Sequence, residues 1–251
     1  MPMATTSNCP ASWSAPSAAH RPAQRQRAAP TADDRAGALR RALGGYAGPL
    51  VLHQGAPAED RGCETLLRAI ADLPGEVRLV LLGDGEPAFV AGLEALAHEL
   101  GITHRVDWLP SVPLDELLAW TADADVGVAL LQDTCANHRL ALPNKLFEYV
   151  AAGIPVVASD LTEMRRVVER HGVGWTVDAT DPAAVSGALQ VALSADRKVL
   201  AQSLDRAAAA LSWAEESVAL TRLYEAPRLQ RQEGRPKLPR TLTRRLWRLR
   251  L

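Results

Sequence analysis

Leu142-Pro143-Asn144-Lys145-Leu146-Phe147-Glu148-Tyr149-Val150-Ala151-Ala152-Gly153-Ile154-Pro155-Val156-Val157-Ala158-Ser159-Asp160 holds a helix start, a helix stop and a buried strand. Pro143 suits the first turn of a helix, where its missing N–H costs nothing. Gly153 suits the stop. Ile154 to Ala158 is a short apolar run rich in β-branched residues, the pattern of a strand covered on both faces. Glu148 lies in an otherwise apolar helix, and a buried acid needs a partner to offset its desolvation. A ligand hydroxyl would serve.

The alternation extends outward from this stretch. Strands are expected at Leu50–Gln54, Val77–Leu82, Arg105–Leu109, Val126–Leu131, 154–158 and Gly174–Val177. Helices are expected at Glu64–Leu73, Ala88–Leu100, Leu114–Ala122, from Pro143, at Glu163–Arg170 and at Pro182–Leu193, with further helical patterns near 196–211 and 213–225. Short strands alternating with helices imply βαβ units and an α/β fold with a doubly wound, Rossmann-like parallel sheet. Such sheets bind ligands at the carboxyl ends of their strands.

The 251 residues are 47% hydrophobic, enough for a real core, and only 4% aromatic, so that core is mostly Leu, Val and Ala. Cys9, Cys63 and Cys135 are too few and too scattered for a disulfide framework or a metal site, which fits a reducing, cytoplasmic compartment. Residues 1–38 read as a disordered linker, rich in Ala, Pro, Ser and Arg. The domain is placed at 39–225 and a basic tail at 226–251. That tail carries nine Arg or Lys and one acid, Glu233, against a net −9 for the rest. An acidic body with a basic tail does not resemble a nucleic-acid-binding domain. Within the tail, Leu238, Leu242, Leu246 and Leu249 fall at helical spacing among arginines. Residues 238–251 therefore read either as an amphipathic segment for an anionic membrane surface, giving a peripheral location on its inner face, or as an unstructured basic tail.

The loop after the first strand, Gly55 to Gly62, leads into a helix. Gly55 lets the backbone approach a ligand, and Arg61 adds a fixed charge beside the helix dipole. Together these suit a diphosphate; a solvated Arg in a turn is the plainer reading. Gly83-Asp84-Gly85 is a tight turn after the second strand. The first-turn N–H groups of Asn144, Lys145 and Leu146 are candidate anion donors, and Lys145 adds charge. Glu148, three residues from Lys145, shares its helix face, so the two read either as a structural salt bridge or as parts of a site. His53 and His138 have no second ligand at a metal spacing, and no metal is expected. No Gly-x-Gly-x-x-Gly follows the first strand and no P-loop is present, which argues against a dinucleotide site and against P-loop phosphoryl transfer.

With its companions, the segment Leu142–Ser159 resembles the donor-site signature of GT-B glycosyltransferases of the family 4 type (glycosyl transferases group 1). Leu52-His-Gln-Gly55 with Arg61-Gly62 resembles the first strand and phosphate loop, and Leu79–Gly85 the second strand and its turn. Val106–Leu109 and Ala122–Val126 resemble the surroundings of the base pocket, and Trp213–Tyr224 the closing helix. The resemblance covers roughly residues 40–225 and implies a single GT-B C-terminal domain with N- and C-terminal tails. It implies a metal-independent transferase that needs no cofactor, moving sugar from a nucleotide-diphosphate sugar to an acceptor. The acceptor and the catalytic base would belong to a missing or separate N-terminal domain, a partner chain. Without that domain the transferase is expected to be inactive or hydrolytic. The implied donor-binding set is Gly55, Arg61, Gly83, Leu109, Asn144, Lys145, Leu146 and Glu148. Glu148 matches the second acid of the family's Glu-x7-Glu motif; the first position holds Leu140. Arg61 matches the usual Lys of the phosphate loop, and the usual Arg falls at about Gly55. The competing expectation is a non-catalytic nucleotide-sugar-binding or interaction module left by gene truncation.

Overall fold

The computed structural model describes residues 37–224, apart from 216, 219 and 223. The linker expected at 1–38 lies outside the described residues but for its last two. The basic tail at 226–251 lies wholly outside them. The chain divides into two compact units at Ala210/Leu211. In the second unit, residues 213–215, 217–218, 220–222 and 224 have helical backbone.

The first unit is a six-stranded sheet. Its strands are β1 (Leu50–Gln54), β2 (Arg78–Leu82), β3 (Val106–Leu109), β4 (Val126–Ala129), β5 (Val156–Ser159) and β6 (Gly174–Val177). All pairings are parallel, in the order β3-β2-β1-β4-β5-β6. The helices are α1 (Ala38–Ala42), α2 (Cys63–Ala71), α3 (Pro87–Glu99), α4 (Leu117–Ala122), α5 (Ala136–Arg139), α6 (Asn144–Ala151), α7 (Thr162–His171), α8 (Pro182–Ser194) and α9 (Arg197–Ala210). Helices α2, α3 and α8 pack together over one face, while α4, α6, α7 and α9 cover the other. Every residue of β1 is buried, as a strand covered on both faces requires. Val51, Leu79, Leu81, Val126, Val128 and Val157 feed the core beneath α2 and α8. The strand order reverses between β1 and β4, the switch point at which such sheets open a ligand crevice.

Helix α6 begins and ends for local reasons. Pro143 is its N-cap rather than its first turn. At the other end Gly153 takes φ 74°, its N–H donating to the Val150 carbonyl while Ile154 N–H donates to that of Tyr149. This is a Schellman closure. It also delays β5, expected from 154, until Val156. Ile154 has spent its N–H on the helix, and Pro155 has none to give. Helix α4 starts at Leu117 rather than Leu114; the turn before it carries bonds from Glu116 and Leu117 N–H to the Pro113 carbonyl. Helices α1 and α5 have no counterpart among the expected elements. Helix α1 is held by Asp123, whose carboxylate accepts from the N–H of Gly37 and Leu39.

Candidate functional site

A cleft of about 530 Å³ opens at the carboxyl ends of β1 and β2 and at the start of α6. Gln54, Gly55, Arg61, Gly83, Asp84, Asn144, Lys145 and Glu148 line it, together with Ser111, Val112, Leu117 and Leu142. Six of the eight expected donor-binding residues therefore meet in one space. Leu109 and Leu146 do not. Leu109 supplies a carbonyl that accepts from Gly83 N–H at 2.9 Å. The Leu146 side chain is fully buried, and its N–H is spent on the Pro143 carbonyl at 3.1 Å, which removes it from the free first-turn donors. Leu140, at the position of the absent first acid, ends α5 with its side chain 62% exposed.

The two turns that form the cleft's near wall touch. Gly83 has φ 145°, and a Cβ there would fall 2.7 Å from the Gly55 carbonyl carbon. Only glycine permits that approach. Asp60 takes φ 61°, a left-handed conformation that Asp tolerates better than most residues. Its carbonyl accepts from Gln132 N–H and its carboxylate from the Thr134 hydroxyl, pinning the Arg61 loop to the segment after β4. Next to Gly83, Asp84 accepts from both the N–H and the hydroxyl of Ser111. His138 stays at the surface with Thr134.

Lys145 and Glu148 share a helix face as the spacing requires, yet each bonds another element. Glu148 Oε2 accepts from Gln54 Nε2 at 2.5 Å. Gln54 is fixed in turn: its Oε1 accepts from the Thr121 hydroxyl at 2.6 Å, and its N–H donates to Tyr149 Oη at 3.0 Å. Burial raises the Glu148 carboxyl above its ordinary value, opposed by the Gln54 hydrogen bond and the Lys145 charge. Lys145 Nζ lies 3.2 Å from His53 Nε2. Burial, reinforced by Arg61, lowers its ammonium to about 8. Among the described residues neither Lys145 nor Arg61 has a carboxylate in ion-pair range. The cleft thus holds two cations with no carboxylate in ion-pair range, the N–H groups that open α6, and one acid facing the same space. That arrangement can take a compact polyanion next to hydroxyl donors.

Sequence reasoning did not find Gln54 or Tyr149, and it read His53 as a lone histidine. For His53 and Gln54 the available signal was position: polar residues ending an otherwise apolar strand at a switch point. Among the described residues no cluster of three or more His, Cys, Asp or Glu side chains could hold a metal ion. Nor is any helix there long and apolar enough to cross a membrane.

Known proteins are similar to this chain over the same stretch. The family described as glycosyl transferases group 1 matches residues 48–195, a stretch that contains every residue lining the cleft. The D-inositol 3-phosphate glycosyltransferase of Xylanimonas cellulosilytica is 38% identical over 150 residues, which are 59% of this chain and 34% of that protein. Sucrose-phosphate synthase from Thermosynechococcus elongatus superposes with a TM-score of 0.66 at 26% identity, over 79% of this chain and 49% of the other. HepE of Anabaena, solved with UDP-glucose, superposes with a TM-score of 0.63 over 76% of this chain and 52% of the other. At 21% identity, that likeness is one of fold. The chain spans about a third of the curated relative's length and about half of each solved chain. A doubly wound sheet, a cleft at its switch point and a family match across that cleft lead to one assignment: the chain belongs to the glycosyl transferases group 1 and carries a GT-B-type domain.

Proposed function

We propose that this domain binds the donor of a glycosyl transfer, a nucleotide-diphosphate sugar. The observation that carries the reading is the convergence of Arg61, Lys145 and the opening of α6 on the cleft that also holds Glu148. Departure of a nucleoside diphosphate develops negative charge, and fixed cations and helix N–H groups stabilise that charge where it forms. Arg61, Lys145 and the Asn144 and Lys145 N–H groups are assigned that task, with no metal required. Glu148, oriented by Gln54, accepts hydrogen bonds from the ribose hydroxyls. Gly55 and Gly83 bring the backbone close to the donor. The bound UDP-glucose of HepE supports the ligand class by analogy of fold. The acceptor, and the groups that act on it, are assigned to a second domain or a partner chain, whose closure over the cleft excludes water. Through residues 238–251 the chain is further proposed to dock on anionic membranes, tested by liposome co-sedimentation with and without residues 227–251.

The test of the donor site is a thermal-shift screen with UDP-, GDP- and ADP-sugars, repeated with Glu148→Ala. One nucleotide class should raise the melting temperature of the parent chain and lose most of that effect in the variant. A shift of equal size in both proteins would refute the assigned site.

A further inference from the structure

His53 is a polar residue at 0% exposure in the middle of the sheet, on the central strand β1. Its Nε2 lies 3.2 Å from Lys145 Nζ and 3.7 Å from Cys63 Sγ. Its Nδ1 is buried without a hydrogen-bond partner. Burying such an atom unpaired costs stability, so its retention calls for a reason.

The chemistry of the contact supplies one. An ammonium carries only donors, so a bond between Lys145 and His53 requires a lone pair on Nε2. The imidazole must then be neutral with its proton on Nδ1, the orphaned atom. Its surroundings enforce neutrality, since burial and the charges of Lys145 and Arg61 push the His53 imidazole well below its ordinary value. Cys63, on α2, adds no charge, because burial pushes its thiol up to about 11. From α6 itself Glu148 faces Lys145 but is bonded to Gln54. The groups around the ammonium are therefore one fixed cation, Arg61, one thiol, one carboxylate committed elsewhere and one neutral acceptor. A carboxylate in the place of His53 would cancel the positive charge, and an apolar residue would leave the ammonium unsolvated on that side.

We propose that His53 is the positioning residue of the cleft's anion subsite: its neutral imidazole accepts a hydrogen bond from Lys145 and holds the ammonium, still charged, at the floor of the cleft beside Arg61. The identity of the anion as a diphosphate rests on the function proposed above. The His53–Lys145 coupling does not, and the experiment separates the two.

The chain has only three lysines, Lys145, Lys198 and Lys237, so lysine-selective isotope labelling gives a short spectrum. The Lys145 signal is identified by its loss in Lys145→Met. In the ligand-free parent chain it should titrate near 8. In His53→Leu it should titrate about one unit lower, and pyrophosphate affinity at mildly alkaline pH should fall roughly tenfold with it. In His53→Gln, whose amide oxygen can take the same hydrogen bond, both should return towards the parent values. An unchanged Lys145 titration in His53→Leu overturns the proposal. So does a parent chain whose His53 nitrogen signals place the proton on Nε2, a measurement that needs no variant to fold. A coupled titration without pyrophosphate binding by the parent chain would uphold the role of His53 and refute the diphosphate reading.

Discussion

Gln54 Nε2 donates to Glu148 Oε2 across 2.5 Å, while Gln54 Oε1 lies 2.6 Å from the Thr121 hydroxyl. A donated N–H stabilises the carboxylate, so this bond favours the ionised acid. Gln54→Leu should therefore raise the Glu148 carboxyl further. The acid edge of nucleotide binding should move to higher pH, and affinity at neutral pH should weaken roughly tenfold. Calorimetric titration with the nucleotide at several pH values checks this; an acid edge that stays in place would show that Gln54 does not set the acid.

The same acid should leave a mark on stability. A carboxyl whose folded value lies above its unfolded value binds more protons in the folded state between the two. Glu148 shifts in that direction. The ligand-free protein should therefore lose stability as pH rises through the Glu148 titration, and Glu148→Gln should flatten that part of the profile. Denaturant unfolding across the acid range measures it.

Lys145 shifts the other way, lowered from 10.5 to about 8 by burial first and Arg61 second. Its stabilising contribution exists above the unfolded value and is lost as pH falls through the folded one. At neutral pH the ligand-free fold carries the full penalty of the buried ammonium. Lys145→Met should thus abolish the rise in stability of the ligand-free chain between pH 8 and 10.5. The same variant should bind pyrophosphate far more weakly. A variant that keeps the rise of the parent chain between pH 8 and 10.5 would contradict the argument.

Tyr149 is fully buried where β1 and β4 part. Its hydroxyl accepts from Gln54 N–H and lies 3.2 and 3.1 Å from the Leu52 and Val128 carbonyls. Tyr149→Phe leaves the Gln54 N–H without this acceptor and should cost about 1–3 kcal/mol. The ring also lies on Gly127, where a Cβ would come within 2.4 Å of it, so Gly127→Ala should destabilise by about 1–3 kcal/mol through overpacking. Urea unfolding of both variants gives the values; neutral substitutions would mean that the strands re-close around the change.

Arg61→Ala should cost roughly 2–4 kcal/mol of transition-state stabilisation once an acceptor domain is supplied, with Arg61→Lys recovering part of it. Donor turnover by the two variants, compared at saturating donor, tests the assignment.

Much of the fold was legible because its signals are local. Six strands and their order along the chain followed from short β-branched runs between helical patterns. The limits of α6 followed from Pro143 and Gly153, to within a residue at the start. Arg61, Lys145, Asn144 and Glu148 were legible as the lining of one cleft because a doubly wound sheet gathers the loops at its carboxyl edge. The 3.6-residue period also placed Lys145 and Glu148 on one helix face. That period could not say whom they meet. Lys145 found His53, 92 residues away, and Glu148 found Gln54, 94 residues away, on a strand that local pattern marks only as buried. Leu146 was lost from the donor set because its N–H closes on the Pro143 carbonyl. Backbone propensity and apolar period act over a few residues, so the sequence determined the elements and the edge where the cleft opens. Hydrogen bonding between elements depends on strand order and on which buried groups lack water, so the tertiary structure alone decided the partners.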